Sequence, residues 1–203
     1  MARSVFGFLS RRPENPELVG PGHLLRLPQL RDYDAWFRLR SASRHFLQPW
    51  EPEWGRDDLT EANYRARVIR AEQENASGLA VPLLLFDRKS GELLGGIHIG
   101  HIRRGASQSC MIGYWMGAMH AGKGHMRAAL PLAIHHIFHG LSLHRIEAAC
   151  IAENHVSIRL LEGAGFEREG LMRQYWNING EWRDHLLYAL INGPAGTDRT
   201  MES

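Results

Sequence analysis

Two cysteines in 203 residues leave no basis for a disulfide framework. Cys110 and Cys150 each sit in a strand-like apolar context and read as small buried side chains, as suits a reducing cytosol. An excess of one charge is also missing: 24 Lys and Arg stand against 22 Asp and Glu, so the net charge of +2 argues for no nucleic-acid partner. The 12 histidines add positive charge only below neutral pH. No apolar run reaches membrane-spanning length, so no membrane partner is expected. The patch Val5-Phe6-Gly7-Phe8-Leu9 is too brief for a secretory core and has no small-residue cleavage site. Internal repeats and low-complexity segments are absent. What remains, 44% hydrophobic and 23% charged residues, is ordinary for one soluble domain with a cytoplasmic location.

Residues 1–22, rich in Pro and Gly, read as a flexible arm, residues 23–192 as one domain and residues 193–203 as a tail. Within the domain, a short strand around Leu24, Leu25 and Leu27 precedes a helix from Leu30 to Ser41. Phe46 to Gly55 reads as a loop braced by Pro49 and Pro52, and Asp58 to Asn75 as a helix with an acidic cap. Strands over Leu79–Phe86, Leu93–Ile102 and Ser107–Met116 follow with short connections, as in an antiparallel meander. Met126, Ala129, Leu130, Ala133, Ile134, Ile137 and Phe138 then recur at steps of three and four, marking the buried face of a helix. Pro131 inside it removes a backbone bond, so a kink is expected there. A strand over His144–Ile151, a helix capped by Asn154 and ended by Gly165, and a hairpin of strands 171–178 and 181–191 around Asn179-Gly180 complete the chain. The pattern is a mixed α/β sheet with helices on its faces.

The most informative junction is Gly122-Lys123-Gly124, between the third strand and the main helix. A helix start leaves backbone N–H groups unpaired and favours negative charge, and glycine lets a ligand approach closely. The reading is a cradle for phosphate oxygens; the alternative is a turn that uses glycine for conformation alone. A magnesium-nucleotide loop needs Ser or Thr after its lysine, whereas Gly124 follows Lys123. A dinucleotide loop needs a third glycine where Arg127 stands. The loop therefore suits a phosphate-bearing ligand held without metal. His135 and His139 have the spacing of a zinc pair, but no HExxH pattern accompanies them, and with His136 they read as helix surface.

This order of elements, with the glycine loop opening one helix and Asn154 capping the next, resembles the GNAT acetyltransferases. Arg145-Ile146-Glu147-Ala148, Asn154-x-x-Ser157 and Gly165-Phe166-x-x-Glu169-Gly170 fall in the family's order. Arg44-His45-Phe46-Leu47-x-Pro49-Trp50-Glu51-Pro52 and Asn179-Gly180-x-Trp182-Arg183-Asp184-His185 look like the branch that acetylates ribosomal-protein N-termini, the RimJ-type alanine N-acetyltransferases. The likeness runs from about residue 24 to about residue 190.

The resemblance implies a GNAT fold: a central, mixed, mostly antiparallel twisted sheet of about seven strands with helices on both faces. It implies acetyl-CoA as donor, no metal, and a protein N-terminus as acceptor, a ribosomal protein beginning with Ala. The backbone amides of Gly122, Lys123, Gly124, His125 and Met126 would hold the pyrophosphate. Tyr114, Trp115 and Met116 would pair with the pantetheine arm beside a split in the sheet. Asn154 would contact that arm, and Ser157 would address the departing thiolate; their alternatives are a plain cap and an ordinary first-turn residue. Trp50, Glu51, Tyr175 and Trp176 would line the acceptor groove, although strand aromatics also serve as packing.

Three positions depart from the family pattern: Met119, Ala121 and Met126 replace more usual Gln or Arg, polar, and small residues. Because phosphate contacts are mostly backbone, weaker affinity is expected rather than a lost site. No Tyr follows Asn154 in its helix, so the acid's place falls to Ser157, a weak acid whose alternative role is a hydrogen bond rather than full proton donation. For the base, Glu51 comes first, with His98 and Glu169 behind it; the alternative for Glu51 is a solvated loop acid. An α-amine titrates near ~8 against ~10.4 for lysine, so it needs little help in losing a proton. The cysteines, inside strands, are not expected to act as nucleophiles. A small-molecule amine acetyltransferase and a non-catalytic CoA-binding module are the rival readings.

Overall fold

The computed structural model describes residues 15–193. β1 (Glu17–Val19), β2 (His23–Arg26), β3 (Val81–Asp87), β4 (Leu93–Arg103), β5 (Ser109–Met116), β6 (Arg145–Ile151), β7 (Glu167–Ile178) and β8 (Glu181–Ile191) form one sheet in the order β1-β2-β3-β4-β5-β6-β8-β7. The eighth strand is β1, which pairs with β2 inside the segment read as an arm. The rest of that arm, residues 1–14, and the tail from residue 194 lie outside the described residues.

Among the described residues there are five α-helices, α1 (Tyr33–Ala42), α2 (Arg44–Leu47), α3 (Glu61–Ala76), α4 (His125–His135) and α5 (His155–Gly163), and α1, α3, α4 and α5 pack on the sheet. Consecutive residues of a strand face opposite ways, so β3 feeds two cores. Leu83 and Leu85 join Ile97, Ile99 and Ile112 under Ala129, Leu130 and Ala133 of α4 and Leu161 of α5. Leu84 and Phe86 meet Trp36 and Leu39 of α1 and Tyr64 and Val68 of α3. Helices therefore cover both faces, as the α/β pattern implies. No helix among the described residues is long and apolar enough to cross a membrane.

Three local readings change. The 46–55 segment is not all loop: α2 runs into a 3-10 turn at Gln48–Trp50, where Pro49 supplies a helix-compatible φ. Helix α3 starts later than Asp58. Thr60 caps it, accepting from the Asn63 N–H, while the Asp58 carboxylate is taken by the Gly55 N–H at 2.8 Å. Helix α4 runs through Pro131 and ends in a π turn, His136–Gly140.

The arrangement that matters for function lies between β5 and β6, which run parallel around the α4 crossover. Their pairing covers only Ser109, Cys110 and Met111 against Arg145, Ile146 and Glu147. Beyond Met111 the strands stay bonded to their outer neighbours, β5 to β4 as far as Met116 and β6 to β8 as far as Ile151. Their inner edges are left free, and a split opens.

Candidate active site

A cleft of about 150 Å³ fills this split, bounded by Ile112 to Tyr114 on β5 and Ala148 to Ile151 on β6. Helix α5 closes one side. It starts at Asn154 because that side chain accepts from the Ser157 N–H at 3.0 Å, satisfying an amide that the helix cannot. The cap fixes Ser157 one turn in, where its hydroxyl lies 2.7 Å from that of Tyr114. Burial pushes the Tyr114 phenol above its ordinary range, so it stays protonated. Cys150 also lines the cleft, a position its place in a strand did not reveal. Burial raises its thiol to about 11 and that of Cys110 to about 12, so neither is a ready thiolate at neutral pH.

At one end of the split stands the glycine loop. Gly122 and Gly124 have φ of +74° and +84°, a left-handed backbone that glycine adopts without strain. A Cβ at Gly122 would meet nothing within 4 Å, so the space above the loop is open. Gly124 occupies the N-cap with no side chain to offer, which leaves the first amides of α4 to an outside acceptor. The residues present thus fit a pyrophosphate. Of the three departures, Met126 turns into the core and Met119 is 62% exposed. Beneath the loop, His120 is buried with Nε2 3.6 Å from Glu92, and His125 Nδ1 lies 3.0 Å from His23 Nε2. Burial lowers the pKa of both His120 and His23.

Side chains make the other end. Trp50 and Trp176 line the cleft, joined by His185, which is 2% exposed. Tyr175 and Trp176 lie on one side of β7 because the strand bulges: three residues separate Met172 from Trp176, whereas only Asp184 separates their partners His185 and Arg183. The ring centroids of Tyr175 and Trp176 are 5.0 Å apart, and both meet the His185 ring at 67°. The bulge is held at Gln174, whose N–H bonds Asp184 at 2.8 Å.

Glu51 does not line the cleft. Arg40 grips both of its oxygens, at 2.8 and 2.6 Å, and the Trp54 indole N–H adds a third bond at 2.8 Å. Its backbone carbonyl accepts from Asn179 at the hairpin turn, so Glu51 ties the Trp50 segment to both α1 and β7–β8. Glu169 is ion-paired with Arg145, at the closed end of the β5–β6 pair. His98 lies on β4, one strand from the split, with its ring against Gly100. A second, more open recess of about 420 Å³ adjoins this end, between Gln48 and Pro49 and the Ile178–Arg183 hairpin.

Arg40 and the Tyr114 hydroxyl carry no signal of their own in the sequence, and His185 stands there only as the last residue of the Asn179–His185 motif, with no role attached to it. Their partners lie 11, 43 and 2 residues away, and only the last spacing is local.

Residues 23–167 match the family model described as acetyltransferase (GNAT) domain, and the chain belongs to that family. It is 35% identical over 189 residues to the [Ribosomal protein uS5]-alanine N-acetyltransferase of Escherichia coli (strain K12), covering 92% of this chain and 95% of that one. Among solved structures it resembles Mycobacterium smegmatis RimJ in complex with CoA-disulfide, at TM-score 0.80 and 36% identity over 88% of each chain. The ribosomal-protein-S5-alanine acetyltransferase from Vibrio fischeri aligns at TM-score 0.82 and 29% identity, over 89% of this chain and 98% of that one.

Proposed function

We propose that this protein transfers the acetyl group of acetyl-CoA to the N-terminal α-amine of a protein, a ribosomal protein beginning with Ala, by direct attack. The observation that carries the reading is the split itself. It is lined by the paired hydroxyls of Ser157 and Tyr114 and by the aromatic Trp50 and Trp176, and β5, which forms one wall, leads on to the glycine loop at the start of α4. The names of the relatives support the acceptor class, which would be met in the cytoplasm.

Each part of the site has a defined task in this reading. The amides from Gly122 to Met126 hold the pyrophosphate. The free edge of Tyr114, Trp115 and Met116 takes the pantetheine arm, with Asn154 beside it, and an N–H near Met116 faces the developing oxyanion. Ser157 Oγ donates its proton to the departing sulfur and regains one from solvent, while the Tyr114 hydroxyl, 2.7 Å away, stays protonated and orients it. Trp50, Tyr175 and Trp176 wall the acceptor groove. Glu51, with both oxygens held, is assigned to bracing the segment that carries Trp50 rather than to proton transfer. The 420 Å³ recess supports a peptide over a small amine, since it offers room for residues after the first.

Thiol release from acetyl-CoA, measured with Ala-initiated peptides against a panel of amino-sugars and polyamines, tests this. Turnover with peptides, and mass-spectrometric detection of the acetyl group on the α-nitrogen, is expected. Turnover with small amines alone would replace the acceptor class, and CoA binding without any transfer would leave only a binding module.

A further inference from the structure

Given the acetyl-transfer reading above, we infer that His185 is the general base, with Nε2 taking the proton of the attacking amine. The hydrogen bond at the other ring nitrogen fixes the tautomer. Nδ1 lies 2.9 Å from the Arg183 carbonyl oxygen, which can only accept, so Nδ1 carries the proton. In the neutral ring Nε2 then holds a lone pair, and no hydrogen bond engages it among the described residues. The rings of Trp176 and Tyr175, with centroids at 5.0 and 5.8 Å, hold the imidazole plane against the cleft it lines.

Strand register places this base on the correct side. Cys150 pairs with Leu186, and both pack in the core beneath α4 and α5. Ile151 and His185, the next pair, therefore face the opposite way. Tyr114 packs against the same core as α5, so the Ser157–Tyr114 pair stands on one side of the split and His185 on the other, on the strand face of Arg183, which lines the acceptor recess. An amine entering on the His185 side would form its N–C bond while the C–S bond breaks toward Ser157. The amine proton passes to Nε2, sulfur takes one proton from Ser157, Ser157 regains a proton from solvent, and release of the Nε2 proton to solvent balances that uptake. As the N–C bond forms, the nitrogen grows more acidic than a free α-amine near ~8, so a base of lower pKa suffices.

The charged and titratable groups around His185 keep it neutral. Burial lowers its pKa most; the Arg183 carbonyl bond opposes this, Arg183 charge reinforces it and Asp184 opposes it. Arg183 is itself paired with Glu153 at 3.2 Å, and Asp184 is occupied by the Gln174 N–H. From β7 come Tyr175 and Trp176, from β6 the protonated Cys150, and from β5 and α5 the hydroxyls of Tyr114 and Ser157.

The test is kcat/KM for an Ala-initiated peptide from pH 5 to pH 9, with the full-length protein and with His185→Gln. The wild type should lose activity with single slope below the amine's pKa of ~8 and with double slope below the ordinary histidine value of ~6.5. His185→Gln should show one slope throughout and be slower by about 10²-fold or more, with CoA affinity by calorimetry unchanged. A wild-type profile with one slope down to pH 5 overturns the assignment, whether or not the variant folds. So does a variant within about threefold of wild type, or a slow variant that keeps both slopes. Transfer to small amines but not to the peptide overturns the acceptor reading instead, and the His185 profile is then read with those amines. No transfer to any amine overturns both.

Discussion

The glycine loop that follows β5 and starts α4 offers backbone alone: two left-handed glycines and the first amides of a helix. At the hairpin end the cleft is bounded by side chains held by other groups, Ser157 by Tyr114 and His185 by a carbonyl and two aromatic rings, while Glu51, outside the cleft, is held by Arg40 and braces the Trp50 segment. The backbone end tolerates a changed side chain so long as φ is kept, which is how Met119, Ala121 and Met126 can stand where other residues are usual. The side-chain end has no such slack, because each group's direction depends on a specific partner.

Ser157→Ala is the sharpest way to break this contrast. It should lower kcat by about 10²-fold in steady-state assays while calorimetry shows unchanged CoA affinity. An unaltered rate would remove Ser157 from the chemistry. Arg40→Ala should cost about 2 kcal/mol in urea denaturation, because it leaves the partly buried Glu51 carboxylate without its clamp. It should also raise the peptide KM without touching CoA affinity; weaker CoA binding would show that the two ends are coupled. Gly124→Val forces a β-branched residue to φ +84°, at about 1–2 kcal/mol. CoA affinity should fall about tenfold, with kcat at saturation little changed. Met119→Gln should change the CoA dissociation constant by less than about threefold, since the side chain is exposed. A gain beyond tenfold would mean that the cradle needs side chains after all.

The same division governs what could be read in advance. Gly122-Lys123-Gly124, the Asn154 cap and the Asn179-Gly180 turn, with φ of +48° and +87° at the last pair, are local devices whose geometry follows from a few adjacent residues. The buried face of α4, marked by apolar steps of three and four, is local as well. Before α3, Asp58 and Thr60 both suit a cap, and Thr60 takes the place because the Asp58 carboxylate accepts from the Gly55 N–H. The β1 strand was hidden in a Pro- and Gly-rich stretch, since three residues gain strand structure only by pairing with β2.

The amino-acid sequence by itself determined the order of elements, the left-handed glycine turn that starts α4 and the family. Periodicity, capping and glycine conformation act over a few residues and need no knowledge of the rest of the chain. Only the tertiary structure decided which side chains face the cleft. The bulge at Gln174, the Arg40–Glu51 clamp and the Ser157–Tyr114 pair join residues from separate elements. Their contacts exist only once strand register and helix packing have brought those elements together.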